Sequence, residues 1–510
     1  MAEKPSKNTS KQYRKTKTQF KGNRRGSQKK DVSRVEERQA RTPLEMFTPT
    51  NWSPKGEAVF MDGSRRKLLW GGIPKEKSLF RMVHRGQNQD LLEFVRSNRP
   101  HATRVSPLCS HYDRCGGCPL MHMRDAGQHN AKLSILYKHL EKKGLAHIAP
   151  KEIYNDVSLR FRHQTKLAVT AESGAMQIGV RNRRNQVASI PNCEVVTKQL
   201  KLINKRLAHK IIEISKGPKE ERIFAYEGED KPGLRYIVAR QSMTTKETHI
   251  CFVATHHRQS YQKLADWLIE FNIPISGVSI HINEEPGNAI FAKNKKGQIQ
   301  SEVLAGTATI TEEVNGITYK IGVGDFFQVN PRVAGKIQND LLKEARRFAD
   351  SPMVDLYCGV GFFGLALARE FGHVFGIEGV EGSIRRARSN AFDNNIKADF
   401  ASGVVDDIIE DKISRLNQAF IVVDPARRGL ESYVIEELHK YTPKAIAYIS
   451  CSPRSFAEDL QKFVSLGWRV SSIRAYDMIP NSVHIEMMAI LEPSKSLVDR
   501  YRKPRRKVIR

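Results

Sequence analysis

The feature that most constrains this chain is the strand–helix alternation that begins near residue 320. Pro352-Met-Val-Asp-Leu-Tyr357, His373-Val-Phe-Gly-Ile-Glu378, Phe420-Ile-Val-Val-Asp424 and Ala445-Ile-Ala-Tyr-Ile449 read as four strands with helices between them. Strands this uniformly apolar are buried on both faces. The expected architecture is therefore α/β, a doubly wound, Rossmann-like sheet with ligands at the carboxyl ends of its strands. At one such end, Asp355-Leu-Tyr357-Cys-Gly359-Val-Gly361-Phe-Phe-Gly364 forms a Gly-rich turn that opens a helix and lets the backbone approach a ligand closely. About 20 residues further on, Glu378 closes the next strand, where a carboxylate can accept hydrogen bonds from both hydroxyls of a ribose. NAD and S-adenosylmethionine both fit that pair of signals.

Three further segments sit at strand edges. Asp424-Pro-Ala-Arg427-Arg428 places an acid beside two cations, suited to a polar ligand; no aromatic follows to stack an adenine, which speaks against adenine-N6 chemistry. Ser450-Cys451-Ser452-Pro453 puts a thiol where the fourth strand gives way to a loop, the position of a candidate nucleophile. Pro480-Asn-Ser-Val-His484-Ile-Glu486 leads into an apolar strand, with Glu486 at its edge. One nucleophilic Cys plus one carboxylate base is the minimum set for methylating C5 of a pyrimidine. C5 of uracil becomes nucleophilic only after a thiolate adds at C6, and a base must then remove the C5 proton.

The rest of the chain divides by texture. With 510 residues, about three domains are expected. Residues 1–45 read as a disordered basic tail. Residues 46–105 read as short strands between Gly turns, a small β barrel. Residues 106–320 read as a central mixed β domain with a helix over Ala131–Lys143, residues 321–495 as the α/β domain, and residues 496–510 as a second basic tail. Lys plus Arg number 84 against 55 acids, a net of +29, and a balance this basic favours a polyanion, usually nucleic acid. No apolar run is long enough to span a membrane, and seven cysteines without an apolar leader point to a reducing compartment. Cys109, Cys115 and Cys118 cluster, with Cys193 further on. Four thiolates of this kind hold zinc or an iron–sulfur cluster, and three together plus one remote leans towards the latter. Cys251 and Cys358 read as packing residues.

Taken together, these motifs resemble the RNA 5-methyluridine (uracil-C5) methyltransferase family over roughly residues 50–495. That family includes enzymes acting on large-subunit ribosomal RNA and on tRNA. The resemblance implies an S-adenosylmethionine-dependent methyltransferase domain with Cys451 as nucleophile and Glu486 as general base. It places Gln328, within Asp325-Phe-Phe-Gln-Val-Asn-Pro331, against cofactor or target. It places Tyr357 and Gly359 in the cofactor turn, Glu378 on the cofactor ribose, and Asp424 in the wall of the cofactor and uracil pocket. Ser452 and Phe362 stand where the family commonly has Asn. The cysteine pattern is similar to the cluster-bearing branch, which implies a [4Fe-4S] cluster on Cys109, Cys115, Cys118 and Cys193, and an RNA-binding TRAM barrel before it. The activity expected from this resemblance is uracil-C5 methylation of RNA in the cytoplasm, with 23S rRNA as first substrate and no protein partner implied. A tRNA T-loop uridine is the nearest rival. A non-catalytic RNA-binding assembly factor and a cytosine-C5 methyltransferase are the others.

Overall fold

The structure is a computed structural model that describes residues 43–172, 174–285, 287, 289–292, 301–405 and 417–497. Apart from residues 43–45 and 496–497, the two basic tails lie outside the described residues.

The α/β domain is built on seven strands: β1 (Met353–Leu356), β2 (Val374–Glu378), β3 (Ala398–Ser402), β4 (Phe420–Val423), β5 (Ala445–Ser450), β6 (Trp468–Tyr476) and β7 (Glu486–Pro493). Their order in the sheet is 3-2-1-4-5-7-6. The first five run parallel and β7 runs antiparallel to both of its neighbours. Side chains alternate between two cores. Phe420, Val422, Ala445, Ala447 and Ile449 face one of them, and Ile421, Val423, Ile446 and Tyr448 the other. All four residues of β4 are fully buried. Each such side chain contributes about 1.5–3 kcal/mol on leaving water, so the central strands anchor the tips that carry the site.

A hairpin, Thr309–Val314 with Ile317–Gly322, precedes this sheet and caps its first core. Its two-residue turn is Asn315-Gly316, both with positive φ (51° and 73°), the combination a tight hairpin demands. Ile310, Val314, Ile317, Tyr319 and Ile321 pack into the α/β core rather than the central domain. The helix Pro331–Ala345 follows, with Pro331 at its first turn and the Asn330 side chain accepting from Val333 N at 3.5 Å.

The central domain is a second seven-stranded sheet, with Gln164–Glu172, Leu234–Gln241, Thr248–Ala254 and Ile275–Ile282 at its middle. The helices Lys198–Ile214 and Gln259–Ile269 cover one face, burying Leu200, Leu207, Leu264 and Leu268. Cys251 is buried here and Cys358 in the α/β core, as packing residues. Residues 44–97 form a six-stranded sheet around Ala58, Leu69, Phe80 and Leu92. The Arg183 guanidinium stacks 3.5 Å above the Trp70 ring and joins this sheet to the central domain.

The helix expected over Ala131–Lys143 starts earlier, at Asp125, and ends at Glu141. Its first turns carry Gln128 and His129, so no apolar stripe announces them. They are helical because Gln128 is buried against a loop of the α/β domain, where its amide donates to Asn481 Oδ1 at 3.1 Å.

Candidate active site

The tips of β1, β2, β4, β5 and β7 converge on one edge of the sheet. After β1 the chain turns sharply. Tyr357 has φ +66°, Gly359 +55° and Gly361 +88°, and Gly361 caps the helix Phe362–Phe371. A β-branched or bulky residue at φ > 0 is strained, and such strain gathers at ligand sites. A Cβ added to Gly359 would meet nothing within 4 Å, so the turn leaves open space above it. A Cβ on Gly364 would come within 2.9 Å of Asp355 Oδ2, so the first helical turn must pack close to the strand. Glu378 accepts from Gly359 N at 3.2 Å and from Val380 N at 2.8 Å, tying the two strand tips together. Asp355 lies buried beneath. Burial first, then Asp424 and Glu378, hold its carboxyl well above the usual range, against the Gly364 amide. An open glycine cradle backed by a half-buried carboxylate fits a ribose-bearing cofactor. Phe362 makes no polar cofactor contact with its side chain. It packs with Tyr319 and Phe327, ring centroids 5.5 and 5.3 Å away.

Gln328 is buried in the loop between the hairpin and the helix Pro331–Ala345. Asp325 anchors that loop, accepting from Gly322 N at 2.7 Å, from Ser383 Oγ at 3.2 Å and from Arg386. Arg240, buried in the central sheet, donates to the Asp325 carbonyl at 2.9 Å. The same loop exposes Phe326, 69% accessible.

The strand register brings the two candidate reacting groups together. Ile446 pairs with Leu491 and Ser450 with Met487 along the antiparallel ladder of β5 and β7. Cys451 follows the end of β5 and Glu486 opens β7, so both lie at the same edge, and the Glu486 carboxyl acts on the thiol. Ser452 caps the following helix, its side chain accepting from Ser455 N. Burial, with Glu486 and Asp424 adding to it, pushes the Cys451 thiol up to about 11, and a hydrogen bond from Arg427 opposes the rise. Glu486 is driven well above the usual carboxylate range by burial and then by Asp424, with Arg427 again opposing. Burial also pushes Asp424 up to about 7. The edge therefore gathers one half-buried thiol and two half-buried carboxyls beside the Arg427 guanidinium. In that state Glu486 is a strong proton acceptor once it has been ionised.

The segment leading to Glu486 is clamped from the central domain. Lys132, fully buried on the helix Asp125–Glu141, pairs with Asp477 and donates to the Ile479 carbonyl at 3.1 Å. Asn481, at φ +65°, donates its backbone N–H to Gln128 Oε1 at 2.8 Å, donates its side-chain amide to the Ser158 carbonyl at 2.7 Å and offers its own carbonyl to Leu120 N at 3.0 Å. His484, two residues before Glu486, is pulled down to about 4 by burial, with Arg427, Lys132 and Arg162 adding. Lys132, Asn481 and His484 were not singled out by sequence reasoning. Their partners lie as far as 353 positions away, and no local pattern marks such pairs.

Cys109, Cys115, Cys118 and Cys193 line one small cavity, with Ile479 packed against the same cluster. Burial pushes Cys118 up to about 12, with the other three thiols adding, and raises Cys115 and Cys193. Among the described residues no three His, Cys, Asp or Glu side chains form a group that could hold a single metal ion. Four thiols that line one cavity are the donor set an iron–sulfur cluster takes.

Residues 278–401 and 405–494 match the model of the tRNA (Uracil-5-)-methyltransferase family. The match spans 214 of the 510 residues. A Clostridium tetani protein described as an RNA methyltransferase is 28% identical over 449 residues, covering 87% of this chain and 95% of that one. The 23S rRNA (uracil(1939)-C(5))-methyltransferase RlmD of Aliivibrio salmonicida is 26% identical, covering 83% and 91%. Among solved structures, the Pyrococcus abyssi tRNA (uracil-54, C5)-methyltransferase bound to S-adenosyl-L-homocysteine superposes with a TM-score of 0.68 at 24% identity, covering 88% of this chain and 99% of that one. Among the described residues no helix is long and apolar enough to cross a membrane.

Proposed function

We propose that the protein methylates C5 of a uridine in large-subunit (23S) rRNA, with Cys451 as nucleophile and Glu486 as general base. The observation that carries this reading is that the β5–β7 ladder ends with Cys451 just past β5 and Glu486 at the start of β7, at one edge of the sheet, where the carboxyl acts on the thiol. S-adenosylmethionine supplies an electrophilic methyl group. Tyr357, Gly359, Glu378 and Asp424 would hold it, and Gln328 would face it or the target base. The Cys451 sulfur forms a bond to C6 of the uracil, and its electrons make C5 nucleophilic. Once C5 carries the methyl group, Glu486 removes the C5 proton, the C5–C6 double bond reforms and the S–C6 bond breaks. Arg427 offers positive charge where the thiolate must form. The base has to leave its stack to reach Cys451, which costs a few kcal/mol and favours loops.

The four cysteines are proposed to hold a [4Fe-4S] cluster that keeps the segment from Ile479 to Glu486 in place. No step of the reaction needs an electron. The sheet of residues 44–97 is proposed as a TRAM-like RNA-binding module and the enzyme as cytoplasmic. The rRNA choice is supported by the relative that acts on 23S rRNA.

The test incubates purified protein and methyl-labelled S-adenosylmethionine with RNA from cells lacking the gene. Label as 5-methyluridine in large-subunit rRNA is the expected result. The same nucleoside in tRNA would move the substrate to a T-loop uridine and keep the mechanism. Labelled 5-methylcytidine, or no label in any RNA, would overturn the reading.

A further inference from the structure

A cavity of about 560 Å³ opens in the central domain between the helix Lys198–Ile214 and the strands Gln164–Glu172 and Ala175–Arg181. Neither the cofactor-turn residues nor Cys451 line it, whereas Cys115, Cys118 and Cys193 do. Ile178, Val180 and Ile212 line it on the helix-covered face of the sheet, and Ala168 and Tyr236 line it on the other face. Arg162, Lys166, Arg181, Lys201 and Lys205 all line it, and not one Asp or Glu does. Lys201 is engaged by Glu194 at 3.3 Å. Among the described residues none of the other four has a carboxylate partner. The Lys166 ammonium stands 5.3 Å from the Tyr236 ring centroid. Arg162 and Arg181 both act on it as like charges. Cations gathered against an apolar wall with no counter-charge form a site for an anion that also has a flat apolar part. The volume is in the range that encloses one ligand of nucleotide size. Arg162 links this cavity to the chemistry, because its charge also acts on His484, two residues before Glu486.

We propose that this cavity takes a second, unstacked nucleotide of the RNA strand whose uridine is methylated. Its base lies along Tyr236 and Ala168, and its phosphate sits among Arg162, Lys166 and Arg181. A cationic track with an aromatic platform is how single strands are held. The cavity would thus read the strand beside the target and help keep that target out of its stack. This inference rests on the RNA-methylation reading above.

The test uses the full chain and a single-stranded oligouridylate carrying one 4-thiouridine, moved along the strand position by position. Photo-crosslinks should map to Tyr236 or to residues 162–168 for a label at one or two positions only. Crosslinks that never fall on the cavity would overturn the proposal. In parallel, the Lys166→Met/Arg181→Met variant should lower the slope of log affinity against log salt by up to roughly 0.7, the value for one phosphate contact on a single strand. It should raise KM and leave kcat unchanged. An unchanged slope would also overturn it. Tyr236→Leu should weaken binding at an unchanged slope, which a merely electrostatic surface would not show. Crosslinking needs no methyl transfer, so the outcomes separate. Crosslinks in the cavity without product would sink the activity reading. Product without such crosslinks would sink only this one.

Discussion

The state of Cys451 in the free enzyme is open to direct measurement. Its thiol is pushed from the ordinary 9.0 to about 11, chiefly by burial, with Glu486 and Asp424 adding. Two units leave roughly a hundredfold less thiolate at any pH below both values. A more basic thiolate is also a better nucleophile, with a Brønsted slope of about 0.4–0.5, which restores a factor of about eight. Alkylation by iodoacetamide at pH 8 should therefore run about tenfold slower than for an unperturbed thiol. More telling, the rate should keep climbing about tenfold per pH unit past pH 9, where an ordinary thiol levels off. Quenched time points, digested and quantified by mass spectrometry on the peptide holding Cys451, give the profile. Asp424→Asn removes a contributing carboxyl and should move the midpoint down. S-adenosylmethionine, with its positive sulfonium, should do the same, whereas the uncharged sulfur of S-adenosylhomocysteine should do so much less. A plateau at or below pH 9, or a midpoint indifferent to Asp424→Asn, would refute the desolvation argument. The catalytic corollary is that adduct formation with 5-fluorouridine RNA accelerates from pH 7 to 9, because C5–F offers Glu486 no proton to remove and the adduct persists.

Glu486→Gln should carry out methyl transfer once and then stall as a covalent protein–RNA adduct on a denaturing gel; clean release of 5-methyluridine would remove Glu486 from the base role. Lys132→Met leaves Asp477 buried and uncompensated, apart from His129 at 3.6 Å, and should destabilise the protein by about 3–5 kcal/mol. Adding Asp477→Leu should recover much of the loss in calorimetry, and a double variant no better than the single one would contradict the pairing. Asp424 has a folded-state value raised from 3.8 to about 7, so its contribution to stability is fully present below about 3.8 and is lost as pH rises through 7. Asp424→Asn should therefore raise the melting temperature at pH 8–9 and change it little at pH 3; the reverse order would contradict the burial argument. Cys115→Ser should lower the iron content of anaerobically purified protein, and unchanged iron would end the cluster assignment.

The α/β sheet was legible before any coordinates because its strands are apolar on both faces and end in residues that apolar cores do not use. Pro352–Tyr357 and Phe420–Asp424 were expected as strands, and β1 and β4 lie within them. The hairpin Thr309–Gly322 was not singled out, although Asn315-Gly316 is its signal. Its apolar residues serve the α/β core and not the strands that precede it in sequence. The first turns of the helix Asp125–Glu141 were missed for a related reason, since their buried residue is a glutamine satisfied from the other domain.

By itself the sequence determined the residue types that can do this chemistry and the kind of element each one ends. A thiol after one strand, a carboxylate before another and glycines after a third are local patterns, set by backbone periodicity and turn chemistry. Only the tertiary structure decided that β7 inserts antiparallel between β5 and β6, which brings Cys451 and Glu486 to one edge of the sheet. It alone decided the desolvation that shifts both groups, and the buried clamp of Lys132 on Asp477. Register, burial and ion pairing across hundreds of positions depend on which surfaces exclude water together. That is a property of the packed chain, and no window of sequence contains it.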